Sequence, residues 1–110
     1  MDKLSLQAKA RELAARAAQT KSGRAADTIF GGHEKRMRQT LIALQAGQEL
    51  AEHDSPGEAT LLVISGRVQL VAGTVRWPGR EWDHLTIPDA PHSVEAQTDA
   101  VFLLTVAVNN

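Results

Sequence analysis

The chain contains no cysteine, and only 4% of its 110 residues are aromatic. The absence of cysteine excludes disulfides, zinc–thiolate sites and cysteine nucleophiles, and it fits a reducing compartment such as the cytoplasm, where we expect the protein. Because hydrophobic residues make up 43% of the chain, the core must be built mostly of Leu, Val, Ile and Ala. The length corresponds to one domain.

Long apolar runs are absent as well, since no stretch approaches the roughly 20 residues that span a membrane. The formal net charge is only -1, but residues 1–24 hold six Lys or Arg against Asp2 and Glu12. We interpret this as a basic helix beside an acidic barrel, and we expect neither a membrane nor a nucleic-acid partner. An interaction module whose basic helix docks another macromolecule is an alternative function.

The first part of the chain has helical periodicity. An amphipathic helix is predicted within residues 1–23, with Gly23 as its C-cap. Its apolar stripe is narrow, so the helix should lie on the barrel or on a second subunit. The stripe consists of Leu6, Ala10, Leu13, Ala14 and Ala17. Residues 24–36 are interpreted as a linker that contains an edge strand at 28–30.

From Met37 onward the pattern changes to short runs of period two. Such closely spaced strands, without helical segments between them, predict an all-β sandwich or barrel over residues 37–110. The last strand is apolar on both faces and is predicted to be central. Strands are predicted near 37–45, 48–53, 59–65, 67–72, 74–77, 84–87, 92–97 and 100–108, with Pro78-Gly79 among the turns.

Two histidines lie where a predicted strand meets a turn, in similar sequence surroundings. His53 precedes the turn Asp54-Ser55-Pro56-Gly57, and His92 follows the proline-bearing turn around Pro88. In a chain this short, the repeated pattern indicates one shared pocket lined by both imidazoles. Both histidines could change charge near neutral pH.

These two segments resemble the motifs of the cupins, a family of small jelly-roll barrels. In the first motif, G(x)5HxH(x)3-4E(x)6G, Gly47, His53 and Gly66 match; in the second, G(x)5PxG(x)2H(x)3N, Pro88 and His92 match. The resemblance covers about residues 37–108, and it implies a cupin-type jelly-roll β-barrel with one N-terminal α-helix. Exposed sheet edges and the apolar final strand further predict a homodimer.

The departures from these motifs bear on metal binding. Ser55 replaces the second histidine, Ala59 the glutamate, Trp82 the opening glycine and Ala96 the asparagine. Two imidazoles alone hold a divalent metal weakly, since catalytic sites usually keep three protein ligands. A bulge could bring Glu58 into the set, and His84 is a further candidate if its strand face points inward.

The resemblance leaves two functions open. One is a small-molecule-binding protein, sensor-like or accessory, whose pocket is lined by His53, His92, His84 and Trp82. The other is a metal-dependent oxygenase or isomerase, in which His53 and His92, with Glu58 or His84, bind iron, manganese, nickel or zinc. Arg38 and Arg67 could reach an anionic ligand if their strand faces point inward.

Overall fold

The computed structural model describes residues 3–53 and 57–108 (for His53 and Val108 the backbone only), and these form one helix and nine strands. The strands pair antiparallel in two sheets, one ordered β1-β2-β9-β4-β7 and the other β3-β8-β5-β6. The architecture is a jelly roll with an N-terminal helix, which confirms the predicted fold class. The elements are α1 (Leu6–Ala18), β1 (Arg24–Phe30), β2 (Met37–Leu44), β3 (Glu49–His53), β4 (Gly57–Ser65), β5 (Arg67–Ala72), β6 (Val75–Arg80), β7 (His84–Thr86), β8 (His92–Ala96) and β9 (Ala100–Val108).

The core lies between the two sheets. Its largest fully buried side chain is that of Phe102 on β9, the central strand of the five-stranded sheet. The central position of this strand was predicted from its apolar character on both faces. The other buried members of the core are Ile42, Leu44, Ala59, Leu61, Val63, Val68, Leu70, Ile87, Val94, Ala96 and Ala100.

The helix covers the outer face of the five-stranded sheet. Ala10, Leu13 and Ala17 are buried against this face, and Leu13 is fully inaccessible. Ala14, which belongs to the same predicted stripe, is exposed. The small alanines let α1 approach the sheet closely, and this contact buries the second apolar face of β9. The sheet residues in this second cluster are Leu41, Ala43, Ile64, Val101 and Leu103.

The ends of the helix are set by polar groups. The Ser5 hydroxyl accepts a hydrogen bond from the Ala8 amide at 3.2 Å, as expected of an N-cap. The helix ends at Ala18 with Gln19 as its C-cap, so the prediction that Gly23 caps it was wrong. Gly23 (φ 66°) instead belongs to the turn that leads into β1.

The eight strands predicted after residue 36 all occur, but the turn predicted at Pro78-Gly79 does not. β6 continues through both residues to Arg80. Proline is tolerated here because β6 is an edge strand, where one side of the backbone needs no ladder partner. A Cβ at Gly79 would lie 2.7 Å from a methyl carbon of Leu85, so a larger residue there would displace the Leu85 side chain.

No helix among the described residues has the length and apolarity needed to cross a membrane.

Candidate functional site

The candidate site lies at the end of the barrel where β8 begins. Residues 87–91 join β7 of one sheet to β8 of the other. Because β8 pairs antiparallel with β3 and β7 with β4, β3 and β7 end, and β4 and β8 begin, at this same end. β2 begins here too, because Met37 pairs with Ala107 near the end of β9. We call this the His92 end of the barrel. The opposite end carries the turns at Gly66 and between β6 and β7.

His92 is the one buried polar or charged residue among those described, with 2% of its surface exposed. It alternates with Ser93 and shares the inward face of β8 with Val94 and Ala96. Its Nδ1 lies 2.9 Å from the Ala90 carbonyl oxygen. Because a carbonyl only accepts, Nδ1 carries the proton in the neutral ring and Nε2 carries the lone pair. The imidazole is therefore held in one orientation and one tautomer by its own loop.

The backbone brings His53 to the same place. The Cα of His53 pairs with that of His92 across the β3–β8 ladder. A register shift between Leu50 and His53 inserts one residue, so that His53 rather than Glu52 lies opposite His92. The side chain of His53 and the predicted turn at residues 54–56 lie outside the described part of the chain.

The inward face of the four-stranded sheet carries exposed apolar groups beside His92. Trp77 lies opposite Leu70, and Val75 lies opposite Ala72, on the face where Leu70 is fully buried. Trp77 and Val75 nevertheless remain 38% and 48% exposed. β5 separates β6 from β8, so Val75 lies about 10 Å from His92 by strand spacing.

The facing sheet contributes a similar surface. Leu104 and Val106 of β9 are partly buried against the core, and Leu50 of β3 joins them from the other sheet. Thr40 pairs with Leu104 and Arg38 with Val106, which places both on the inward face of β2. Arg38 is exposed, at the rim. This end therefore combines an inward imidazole, apolar walls and one cationic side chain.

Two of the predicted site residues lie on the opposite face of their strands. Glu58 is exposed and alternates with buried Ala59, so its carboxylate projects from the outer face of β4. His84 is exposed and pairs with Leu62, which packs toward the helix rather than into the barrel. The structure does not bring either side chain beside His92.

Trp82 lies at the other end of the barrel, in the turn between β6 and β7. It is 65% exposed and borders a groove of about 390 Å³ beside α1, together with Ala10, Ala14 and Ile64. Its backbone has φ 71°, a left-handed value that glycine adopts most easily. Trp82 thus stands at the glycine position of the motif in a conformation that favours glycine, and it is not part of the His92 end.

The described residues do not make up a three-ligand metal centre. No group of three or more His, Cys, Asp or Glu among them could hold a metal ion. His92 fits a ligand, because metal-binding imidazoles commonly donate their other N–H to a backbone carbonyl. The remaining ligands would have to come from the His53 side chain or from residues outside the described part.

Sequence reasoning missed Trp77, Leu50, Leu104 and Val106 as residues of this end. The available signal was the alternation of Val75 and Trp77 with Arg76, which places both apolar groups on one face. The sequence does not reveal that this face is inward yet exposed, because that depends on how far the facing sheet extends.

No protein-family model matches the sequence, and no curated protein matches it, but solved structures do. An RmlC-like cupin from Desulfovibrio desulfuricans is 27% identical, with a TM-score of 0.68 over 76% of this chain and 81% of that chain. A conserved protein of unknown function from Streptococcus pyogenes is 23% identical, with a TM-score of 0.73 over 83% and 79%.

A third similar structure is that of an enzyme. The salicylate 1,2-dioxygenase from Pseudoaminobacter salicylatoxidans, solved as a mutant in complex with gentisate, is 17% identical with a TM-score of 0.79. It covers 94% of this chain, which spans only 33% of the dioxygenase. Together with the sheet order, these similarities lead to one conclusion: the protein has, in a single small domain, the fold of the RmlC-like cupins.

Proposed function

We propose that the His92 end of the barrel binds a small organic acid with an apolar body. The observation that carries this proposal is the exposed, inward-facing pair Val75 and Trp77, two strands from a buried, oriented imidazole on the same sheet face. Exposed apolar groups on an inward face favour a ligand that covers them, since ligand sites combine apolar walls with few polar groups. A sensor-like or accessory role requires only such binding.

The polar groups of this end favour an acid over a neutral ligand. Arg38 lies at the rim, and no ion pair between it and a described carboxylate is formed. A guanidinium binds a carboxylate through two parallel hydrogen bonds. One similar structure holds gentisate, a small aromatic acid, which is consistent with this ligand class.

The test uses benzoate as the probe and benzamide as its uncharged counterpart. In a Trp82→Phe background, the remaining tryptophan is Trp77, so its fluorescence reports on the site directly. We expect benzoate to change this emission and raise Tm, and benzamide to bind at least tenfold more weakly. Arg38→Gln should weaken benzoate binding at least tenfold, whereas Arg67→Gln on the outer face should not. His92→Ala should weaken benzoate binding less than Arg38→Gln does, because the Nε2 lone pair accepts hydrogen bonds and cannot donate one to a carboxylate. Benzoate binding that is unchanged in Arg38→Gln would overturn the proposal.

A second candidate is metal-dependent catalysis, which the register of His53 and His92 favours. A metal there would act as a Lewis acid on a bound substrate or water. Elemental analysis of protein purified without chelators separates the two functions. Near-stoichiometric metal that is lost in the double variant His53→Ala/His92→Ala would support an enzyme. Benzoate binding by metal-free protein would support simple binding.

The structure gives the basic helix a role within the fold, which weakens the third function, docking of another macromolecule. Lys9 and Arg16 form ion pairs with Asp27 of β1. These two basic groups are thus engaged by the barrel itself.

A further inference from the structure

Two arginines face each other on the outer surface of the four-stranded sheet, at the end of the barrel away from His92. Arg67 of β5 pairs with Arg80 of β6, and both side chains are exposed. Their neighbours Val68 and Gly79 are buried and face inward, so the two guanidinium groups project together from the outer face. Like charges directly opposite each other on adjacent strands disfavour the folded sheet.

Neither arginine forms an ion pair with a carboxylate of the described residues. This differs from Arg76 on the same face, whose Nη1 lies 2.9 Å from both Glu95 Oε1 and Gln69 Oε1. Glu95 is the acid nearest in register to Arg67, since it pairs with Gln69, two residues along β5. Its carboxylate is already bound by Arg76, so Glu95 does not compensate the positive charge of Arg67.

The two side chains border a depression of about 380 Å³. Gln97 also lines the depression beside Arg67, and its backbone N–H donates to the Arg67 carbonyl at 2.9 Å. Asp83 also lines the depression, and its Oδ2 accepts the backbone N–H of Arg80 at 3.0 Å. With two guanidinium groups and one carboxylate, the lining carries a net positive charge.

We propose that this depression binds the phosphate group of a small soluble molecule. A carboxylate occupies a single guanidinium fork, whereas a phosphate offers enough oxygens for two forks that approach from neighbouring strands. An anion here also removes the repulsion between Arg67 and Arg80. The volume suits a phosphate monoester, and two arginines are too few for the extended basic surface that binds nucleic acid.

The experiment measures Tm and binding heat with inorganic phosphate and with glycerol 3-phosphate, against sodium chloride of matched ionic strength. We expect both phosphates to raise the Tm of the wild type above the chloride value. Arg67→Gln and Arg80→Gln should each weaken phosphate binding at least tenfold. In sodium chloride without phosphate, Arg67→Gln and Arg80→Gln should each have a Tm equal to or above that of the wild type, because the repulsion between the two arginines is removed. Arg76→Gln is the matched control, and phosphate should raise its Tm and bind to it as it does to the wild type.

Asp83→Asn provides a test in the opposite direction. The amide oxygen can still accept the Arg80 N–H, but the negative charge beside the anion is removed, so phosphate should bind severalfold more tightly. The proposal is overturned if phosphate raises the Tm of the wild type no more than chloride does. It is also overturned if Arg76→Gln weakens phosphate binding as much as Arg67→Gln does. Binding only to vesicles that contain phosphatidic acid, without an effect of soluble phosphates, would also overturn it.

Discussion

At the scale of the residue, Trp82 has an unusual backbone for its type. It occupies the third position of a turn closed by the Asp83 amide and the Arg80 carbonyl at 2.8 Å, and its φ of 71° suits glycine there. The turn is held from outside as well, because the Trp82 amide donates to the Val63 carbonyl at 2.8 Å. A left-handed conformation costs a non-glycine residue roughly 1–2 kcal/mol.

This cost predicts that glycine at position 82 is more stable than alanine, the reverse of their usual order. Trp82→Gly should be more stable than Trp82→Ala by about 1 kcal/mol, because glycine has no Cβ to strain the turn. Both variants lose the same, largely exposed side chain. Urea unfolding with comparison of the midpoints measures the difference. The exposed helical residue Ala15 is the control, since Ala15→Gly should destabilise the protein as glycine ordinarily does. Equal stability of the two Trp82 variants would contradict the argument.

The strand face that each candidate site residue occupies could be predicted for some residues and not for others, for a physical reason. Period two in a strand predicts which residues share a face, and one residue of displacement reverses the face. Alternation with apolar neighbours therefore already separates Glu58 from Ala59 and His84 from Leu85, and the structure follows it. Alternation does not predict the inserted residue that brings His53 opposite His92, because a bulge leaves no fixed sequence pattern.

At the scale of the element, the contact between α1 and β1 is partly electrostatic. Asp27 lies 2.8 Å from Arg16 and 2.6 Å from Lys9. Hydrogen bonds from Arg16, and then from Lys9, lower the pKa of Asp27 from 3.8 to about 2. A carboxyl with a lowered pKa in the folded state stabilises that state above its unfolded pKa, and the contribution is lost as pH falls toward 2.

Asp27→Asn should therefore lower Tm at pH 7, and the difference from the wild type should shrink between pH 4 and pH 2. Thermal unfolding across this pH range measures both quantities. Glu58→Gln is the control, because Glu58 is an exposed acid outside the ion pairs of the described residues. A deficit of Asp27→Asn that is the same at pH 2.5 as at pH 7 would show that the carboxylate charge is not the cause.

At the scale of the whole molecule, the succession of strands along the chain after residue 36 and the all-β fold class were predictable, because turn residues and period-two patterns are local. β1 was harder to predict. Its alternating pattern, Arg24–Phe30, has no fully buried residue, since it is an edge strand whose one face is covered by α1. Coverage by the preceding helix is not encoded in the strand itself, so the sequence predicts a linker for most of this strand.

The same edge leads to the final prediction, the oligomeric state. β1 is an edge of the five-stranded sheet, and Leu4, Phe30 and Met37 near it are exposed by 49%, 42% and 42%. Leu4 and Phe30 border a common depression of about 760 Å³. An unpaired edge with apolar neighbours favours association with a second edge, and a two-fold axis would pair β1 with its own copy. We therefore expect a homodimer, with twice the chain mass of 11.9 kDa in light scattering.

Phe30→Asp should weaken this dimer at least ~30-fold, because it places a charge in a desolvated apolar contact worth about 2 kcal/mol or more. Sedimentation over a range of concentrations measures the dissociation constant. Val75→Asp adds the same charge at an equally exposed apolar residue of the His92 end, and it should leave the dimer intact. If Val75→Asp separates the subunits and Phe30→Asp does not, the interface lies at the His92 end, and the ligand site is then shared between two chains. A wild type that is monomeric at every concentration would exclude both arrangements, and the apolar groups around Phe30 would then need another explanation.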